Sequence, residues 1–190
     1  MEVYLVRHTK PKIEKGICYG QSDVPLAESF EQEALALMKH LPGKIDAIYS
    51  SPLSRCQRLA RLVKEESIIC NDPRLMEMNF GDWELKNWDK IDQNHLNGWM
   101  QDFVNVKVPN GENFLELYGR VNYFMDELMK QQHKAVAVVT HAGAIRSVVA
   151  RVLEIPLKNA FKLPVDYSSI TKLNISGDGC YTSIEYLNKV

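Results

Sequence analysis

Short apolar runs alternate along this chain with longer stretches whose apolar residues recur every third or fourth position. Residues 3–6, 45–49 and 135–140 are apolar and partly β-branched, and read as buried strands. The run Ala135-Val136-Ala137-Val138-Val139 is the clearest of them, and residues 67–70 are a shorter candidate. Residues 170–175 and 182–187 flank Gly177-Asp178-Gly179, which predicts a hairpin. Between these runs the period changes. Ala34, Leu37, Met38 and Leu41 predict a helix over 30–41, closed by Pro42-Gly43. Leu59, Leu62 and Val63 mark a second over 54–64, and Leu117, Val121, Phe124, Met125 and Leu128 a third over 115–129. Ile145, Val148, Val149 and Val152 mark a fourth over 144–153, ending before Pro156. Strand-helix alternation implies an α/β fold with a mostly parallel central sheet and helices on both faces. A length of 190 residues suits one domain, 1–190.

The stretch from about 87 to 107 fits this alternation poorly. It is polar, with Trp88, Trp99 and Phe103 spaced through it. Two readings stand: a helical excursion over one end of the sheet, or a surface loop pinned by its aromatics. In the first, Trp88 and Trp99 form part of a wall for the apolar body of a ligand.

Composition narrows the function classes. Forty-five per cent of residues are hydrophobic, enough for a substantial core and too many for a disordered chain. With 23 basic and 24 acidic residues the net charge is -1, so no global field points to nucleic acid or an anionic membrane. No stretch approaches the ~20 apolar residues of a membrane span. The four cysteines form no C-x-x-C pair, and the five histidines no H-x-x-x-H or H-E-x-x-H pattern. A cytoplasmic protein with free thiols, no metal and no cofactor is expected.

Candidate chemistry gathers where strands end. In an open α/β sheet, ligands bind at the carboxyl ends of the strands. Arg7-His8-Thr9 follows the first strand, Ser50-Ser51-Pro52-Leu53-Ser54-Arg55 the second, and Thr140-His141-Ala142-Gly143 the strongest. Ser51 suits an N-cap and Pro52 the first helical position. Arg55 then falls in the first turn, where a cation opposes the helix dipole unless an anion shares the site. Ala142 and Gly143 are small enough to let backbone amides approach a ligand. Glu77 lies between Met76 and Met78, apolar flanks that suit a general acid. Two guanidinium groups match phosphoryl oxygens, and a neutral imidazole can attack phosphorus.

Leu5-Val6-Arg7-His8-Thr9, Ser51-Pro52-Leu53-Ser54-Arg55, Glu77 before Phe80-Gly81-Asp82-Trp83-Glu84, and Thr140-His141-Ala142-Gly143 together resemble the histidine phosphatase superfamily, in its phosphoglycerate-mutase-like branch. The four motifs stand in family order and span nearly the whole chain. The resemblance implies a metal-independent phosphomonoesterase with a phosphohistidine intermediate on His8. It implies a phosphate pocket of Arg7, Arg55, His141 and Ala142, with Glu77 as proton donor. Thr9 stands where most of the family has Gly, and Asn113 where Ser usually follows Gly111-Glu112. Within the branch, residues 7–11 and 16–26 look most like alpha-ribazole phosphatases of cobalamin synthesis. Gly20, Gln21 and Glu84 are further substrate-binding candidates. The implied partner is a small phosphate monoester, handled by a monomer or homodimer. The rival readings are a phosphoglycerate mutase, a broad-specificity sugar or nucleotide phosphatase, and a catalytically inactive protein that binds a phosphorylated ligand.

Overall fold

The computed structural model of the chain describes residues 1–63, 69–177, 179 and 181–190. Its strands are β1 (Glu2–Arg7), β2 (Ala47–Ser50), β3 (Ile69–Asn71), β4 (Ala135–Thr140), β5 (Ile170–Ile175) and β6 (Thr182–Lys189). Its α-helices are α1 (Phe30–Met38), α2 (Ser54–Val63), α3 (Gln93–Gln101), α4 (Phe114–Met129) and α5 (Ala142–Val152).

The strands form one sheet in the order β3-β2-β4-β1-β5-β6. β1, β2, β3 and β4 run parallel, whereas β5 pairs antiparallel with both β1 and β6. Every residue of β4 is buried, as a continuous apolar run at the middle of a two-sided sheet requires. The pleat divides the core. Val3, Leu5, Val136 and Val138 pack with α4 and α5, while Tyr4, Val6, Ala137 and Val139 pack with α1 and α2. Helices therefore cover both faces, as the alternation predicted.

Local chemistry explains where the boundaries differ from expectation. α1 stops at Met38, three residues early, as the chain turns through Lys39–Leu41 on single-turn hydrogen bonds. α2 starts at Ser54, not at Pro52. The Ser54 N–H and hydroxyl both donate to Asp23 Oδ1, at 2.9 and 2.8 Å, so Asp23 serves that helix end together with Ser51, whose hydroxyl accepts from the Leu53 N–H at 3.4 Å. α4 starts at Phe114 because Asn113 and Glu116 form a reciprocal capping box, a device typically worth ~1 kcal/mol. Lys64, Ser67 and Ile68 lie outside the described residues, so the predicted 67–70 strand is seen only as β3. Asp178 and Cys180 also lie outside them, although the hairpin pairing of β5 with β6 is present.

Between β3 and α4 the chain makes three short 3-10 turns and then α3. The 87–107 stretch is thus the helical alternative. Trp83, Ile91, Leu96 and Trp99 join the core on the α4 and α5 side. Trp88 and Trp99 stack at 6.3 Å between ring centroids, and Phe103 meets Phe114 and Phe161 edge to face. Among the described residues, no helix is long and apolar enough to cross a membrane.

Candidate active site

The carboxyl ends of three neighbouring parallel strands deliver the chemistry. The His8 N–H donates to Thr140 O at 3.1 Å and the Ser51 N–H to Val139 O at 2.9 Å, so these strand ends stay in register past the sheet. His8 is almost wholly buried, and its Nδ1 lies 2.7 Å from Thr9 O. A carbonyl oxygen only accepts, so Nδ1 carries the proton and Nε2 keeps the lone pair. Burial, then the charges of Arg55 and Arg7, hold the His8 pKa well below the usual 6.5. The ring is therefore neutral at physiological pH, a state in which an imidazole can act as a nucleophile.

His141, at the N-cap of α5, is also fully buried, and its ring lies 5.0 Å from that of His8. Burial, then Arg55, keeps it neutral too. Its Nε2 is 2.8 Å from the Ser51 hydroxyl and 3.4 Å from Cys56 Sγ. Ser51 thus anchors this imidazole while its hydroxyl also accepts from the Leu53 N–H at 3.4 Å, a weak form of the capping contact that its position beside Pro52 predicts.

Arg55 is the largest fully buried side chain among the described residues. Its Nη1 donates to Ser22 O at 2.9 Å and its Nη2 to Gly20 O at 2.5 Å. Arg7 donates Nη1 to Val165 O at 2.6 Å. The Nε of each arginine, and Thr9 Oγ1, are buried with no hydrogen-bond partner among the described residues. Leaving such a donor unsatisfied costs about 1–3 kcal/mol, which the oxygens of an anion would relieve.

Glu77, from the irregular stretch after β3, sets its carboxylate against the first turn of α5. Both its carboxylate oxygens lie 3.1 Å from the Gly143 N–H, and the Met78 N–H donates to Oε1 at 3.0 Å. The apolar flanks are present, since Met78 is buried, but the carboxylate itself rests on amide donors at a helix N-terminus. A side chain at position 143 would collide with that carboxylate, so only glycine allows the approach. Arg120 of α4 fixes the backbone behind it. This guanidinium donates to Arg74 O, Met76 O and Glu77 O at 2.7–2.9 Å, and pairs with Glu112 at 2.5 Å.

Arg7, His8, Arg55, Glu77 and Ala142 line one cavity of about 260 Å³. Its opposite wall is apolar and aromatic, with Phe80, Trp88, Phe114, Leu117 and Phe161. The profile of the Histidine phosphatase superfamily (branch 1) matches residues 3–188. The chain belongs to that superfamily.

Relatives within the histidine phosphatase superfamily agree over their full lengths. The chain is 30% identical to a Hydrogenobacter thermophilus protein named "Putative phosphoserine phosphatase 2", over 99% of this chain and 95% of that one. It is 29% identical to the adenosylcobalamin/alpha-ribazole phosphatase of Escherichia coli, over 100% and 92%. The crystal structure of the alpha-ribazole phosphatase from Shigella flexneri superposes with a TM-score of 0.91 at 26% identity, over 100% of this chain and 96% of that one. The chain is accordingly a phosphomonoesterase with the phosphoglycerate-mutase-like fold.

Not every predicted residue of this phosphatase reaches the cavity. His141 stands behind His8 rather than on the cavity surface. Gly20, Gln21 and Glu84 lie behind the wall. Glu84 accepts from the N–H groups of Gln21, Ser22 and Phe80 and from the Ser22 hydroxyl, which consumes its carboxylate. Gln21 donates from Nε2 to Glu77 O at 3.0 Å. Gly20 supplies Arg55 with a carbonyl, and a Cβ there would strike Met78 O. Trp88 reaches the cavity, but Trp99 lies inside the aromatic cluster.

Conversely, Arg146, Tyr19 and Tyr167 line the cavity without having been singled out. Arg146 sits one helical turn beyond Ala142 on the same face of α5, a spacing that places both at the site. Its Nε donates to Leu163 O at 3.1 Å and its guanidinium lies 5.1 Å from the Phe161 ring centre. Tyr19 belongs to the 16–26 stretch already singled out. Tyr167 has no comparable sequence signal.

The two neutral histidines set a pH dependence of stability. Both fold with pKa values well below 6.5, so the unfolded chain binds protons that the folded chain refuses. Stability is then undiminished above about pH 6.5 and falls as the pH drops below it. Thermal unfolding of the wild type followed from pH 8 to pH 5 should show that fall. His8→Gln should flatten it, and an equal slope in the variant would rule His8 out as a source.

Proposed function

We propose that His8 Nε2 attacks the phosphorus of a small phosphate monoester in line with the leaving oxygen. The observation that carries this reading is the 2.7 Å contact of Nδ1 with Thr9 O, which commits one ring nitrogen and frees the other. As the Nε2–P bond forms and the P–O bond breaks, Arg7 and Arg55 take the equatorial oxygens, where transition-state charge sits. Thr9 O steadies the positive charge that the ring acquires on phosphorylation. Glu77 gives its proton to the leaving oxygen. Water then attacks the phosphohistidine, Glu77 accepts a proton from it, and inorganic phosphate leaves His8 as it was. His141, held by Ser51, backs the His8 ring and fixes its position, and Ala142 opens the N-terminus of α5 toward the phosphoryl group.

The aromatic wall favours a substrate whose leaving group is an apolar ring system. Alpha-ribazole 5'-phosphate is the reading that this wall and the named relatives support best. A second reading rests on Arg146, whose cation on the same wall would suit a leaving group bearing a carboxylate, such as phosphoserine or the sugar acid of a mutase. Metal plays no part in this reading, because a cavity built around arginines repels cations. The full 190 residues act as one domain, in the cytoplasm, on small molecules rather than nucleic acid, as a monomer or homodimer.

Three outcomes follow. A phosphorylated substrate should leave an acid-labile, base-stable label on the wild type and none on folded His8→Ala, with turnover undiminished in excess chelator. Label on serine or aspartate, or activity restored only by magnesium, would contradict the scheme. Across a panel of monoesters, kcat/KM should be higher for alpha-ribazole 5'-phosphate than for phosphoserine; the opposite order transfers the assignment to the Arg146 reading. Glu77→Gln should slow an alkyl phosphate by about 100-fold or more, the usual worth of general acid catalysis. Its first step on p-nitrophenyl phosphate, seen as a pre-steady-state burst, should slow far less, because p-nitrophenolate needs no proton. Equal slowing of both without a burst would remove proton donation from Glu77.

A further inference from the structure

Tyr19 and Tyr167 line the cavity but have no task in the chemistry above. They come from separate connections: Tyr19 from the segment between β1 and α1, Tyr167 from the segment before β5. Their hydroxyl groups meet at 2.5 Å. Each ring also lies against an arginine. The Arg7 guanidinium carbon is 3.7 Å from the Tyr167 ring centre, and that of Arg55 is 5.5 Å from the Tyr19 ring centre. Tyr167 additionally packs against His8, with 5.6 Å between ring centres.

We propose that Tyr19 and Tyr167 are positioning residues, which fix the two phosphoryl-holding guanidinium groups relative to one another through their shared hydroxyl contact. The two arginines are otherwise held independently. Arg7 leaves the end of β1 and, among the described residues, is tethered by hydrogen bonding at Nη1 alone, to Val165 O. Arg55 leaves the first turn of α2 and hangs on Ser22 O and Gly20 O. A single hydrogen bond leaves a planar group free to swing about it, whereas a ring face beneath the plane removes that freedom. Two like charges drawn to one cavity also repel each other, and an aromatic face beside each offsets part of that repulsion. The hydroxyl contact closes the chain Arg7–Tyr167–Tyr19–Arg55, so displacement of either arginine must move both loops. Burial first, and then the contact with Tyr167, push the Tyr19 hydroxyl pKa upward, so Tyr19 keeps its proton for this contact.

This inference rests on the phosphoryl-holding role proposed for Arg7 and Arg55, and orthovanadate, a mimic of five-coordinate phosphorus, tests both separately. Tyr19→Phe and Tyr167→Phe keep the rings and delete the contact. Each should weaken vanadate inhibition by roughly tenfold, about what one hydrogen bond is worth, and lower kcat more than it raises KM. Because both delete the same contact, the double variant should be no weaker than either single one, whereas independent hydroxyls would multiply to about 100-fold. Tyr167→Leu, which also removes the ring beneath Arg7, should be weaker by about a further tenfold. Multiplicative losses in the double variant overturn the proposal. So does unchanged vanadate inhibition in the Phe variants, including the case where only the melting temperature falls, since the pair is then a structural tie. Arg7→Ala provides the control. If it too binds vanadate normally, the phosphoryl-holding role itself fails; if it loses affinity while the tyrosine variants do not, only the positioning role fails.

Discussion

The site depends on the burial of a permanent positive charge. Arg55 cannot shed its proton and is wholly enclosed, so the fold must compensate a charge that water would solvate far better. No carboxylate is paired with it among the described ion pairs. Backbone carbonyls of Gly20 and Ser22 do the work instead, leaving the guanidinium a net cation that an incoming dianion can neutralise. Burial first, and then the field of this guanidinium with that of Arg7, hold the His8 and His141 pKa values well below the usual 6.5. One buried charge thus both disposes the cavity toward an anion and adds to the burial that keeps the His8 ring neutral. A carboxylate paired with Arg55 would have satisfied the charge and weakened both effects.

The second carboxylate system solves a different problem. Glu77 lies in an irregular stretch between β3 and α3, where no sheet ladder fixes its position. Arg120, reaching from α4 to the carbonyl groups of Arg74, Met76 and Glu77 and braced by Glu112, substitutes for that ladder. Glu84 performs the equivalent service for residues 20–22, and so for the carbonyl groups that carry Arg55. The residues that touch a substrate are few, and most of the polar groups around them hold backbone.

This division explains what could be read from the chain itself. The sheet, its parallel centre and the two-sided helical cover follow from local periodicity, and the pleat of β1 and β4 bears that out. Arg7, His8, Arg55, Glu77 and Ala142 were legible because strand ends and short motifs announce them. Gly20, Gln21 and Glu84 were legible as important but not in their role, since a motif marks a position without showing which way its side chain is used. Arg120 and Tyr167 were invisible as site residues, because contacts across more than 40 positions have no local signature, whereas Arg146 follows Ala142 by one helical turn, a spacing that could have found it. Trp99 was misassigned toward the ligand for a related reason: amphipathic spacing distinguishes buried from exposed, but not one buried neighbour from another.

All three tryptophans of the chain lie in a single cluster, with centroid separations of 5.7–6.3 Å, and one of them, Trp88, forms part of the cavity wall. The intrinsic emission of the protein therefore originates at one place, and excitation is shared among rings so close together. An optical signal from this chain is a report on the leaving-group side of the cavity and not on the molecule at large. The phosphatase in effect carries its own dye, built into the wall where a substrate's organic part would rest.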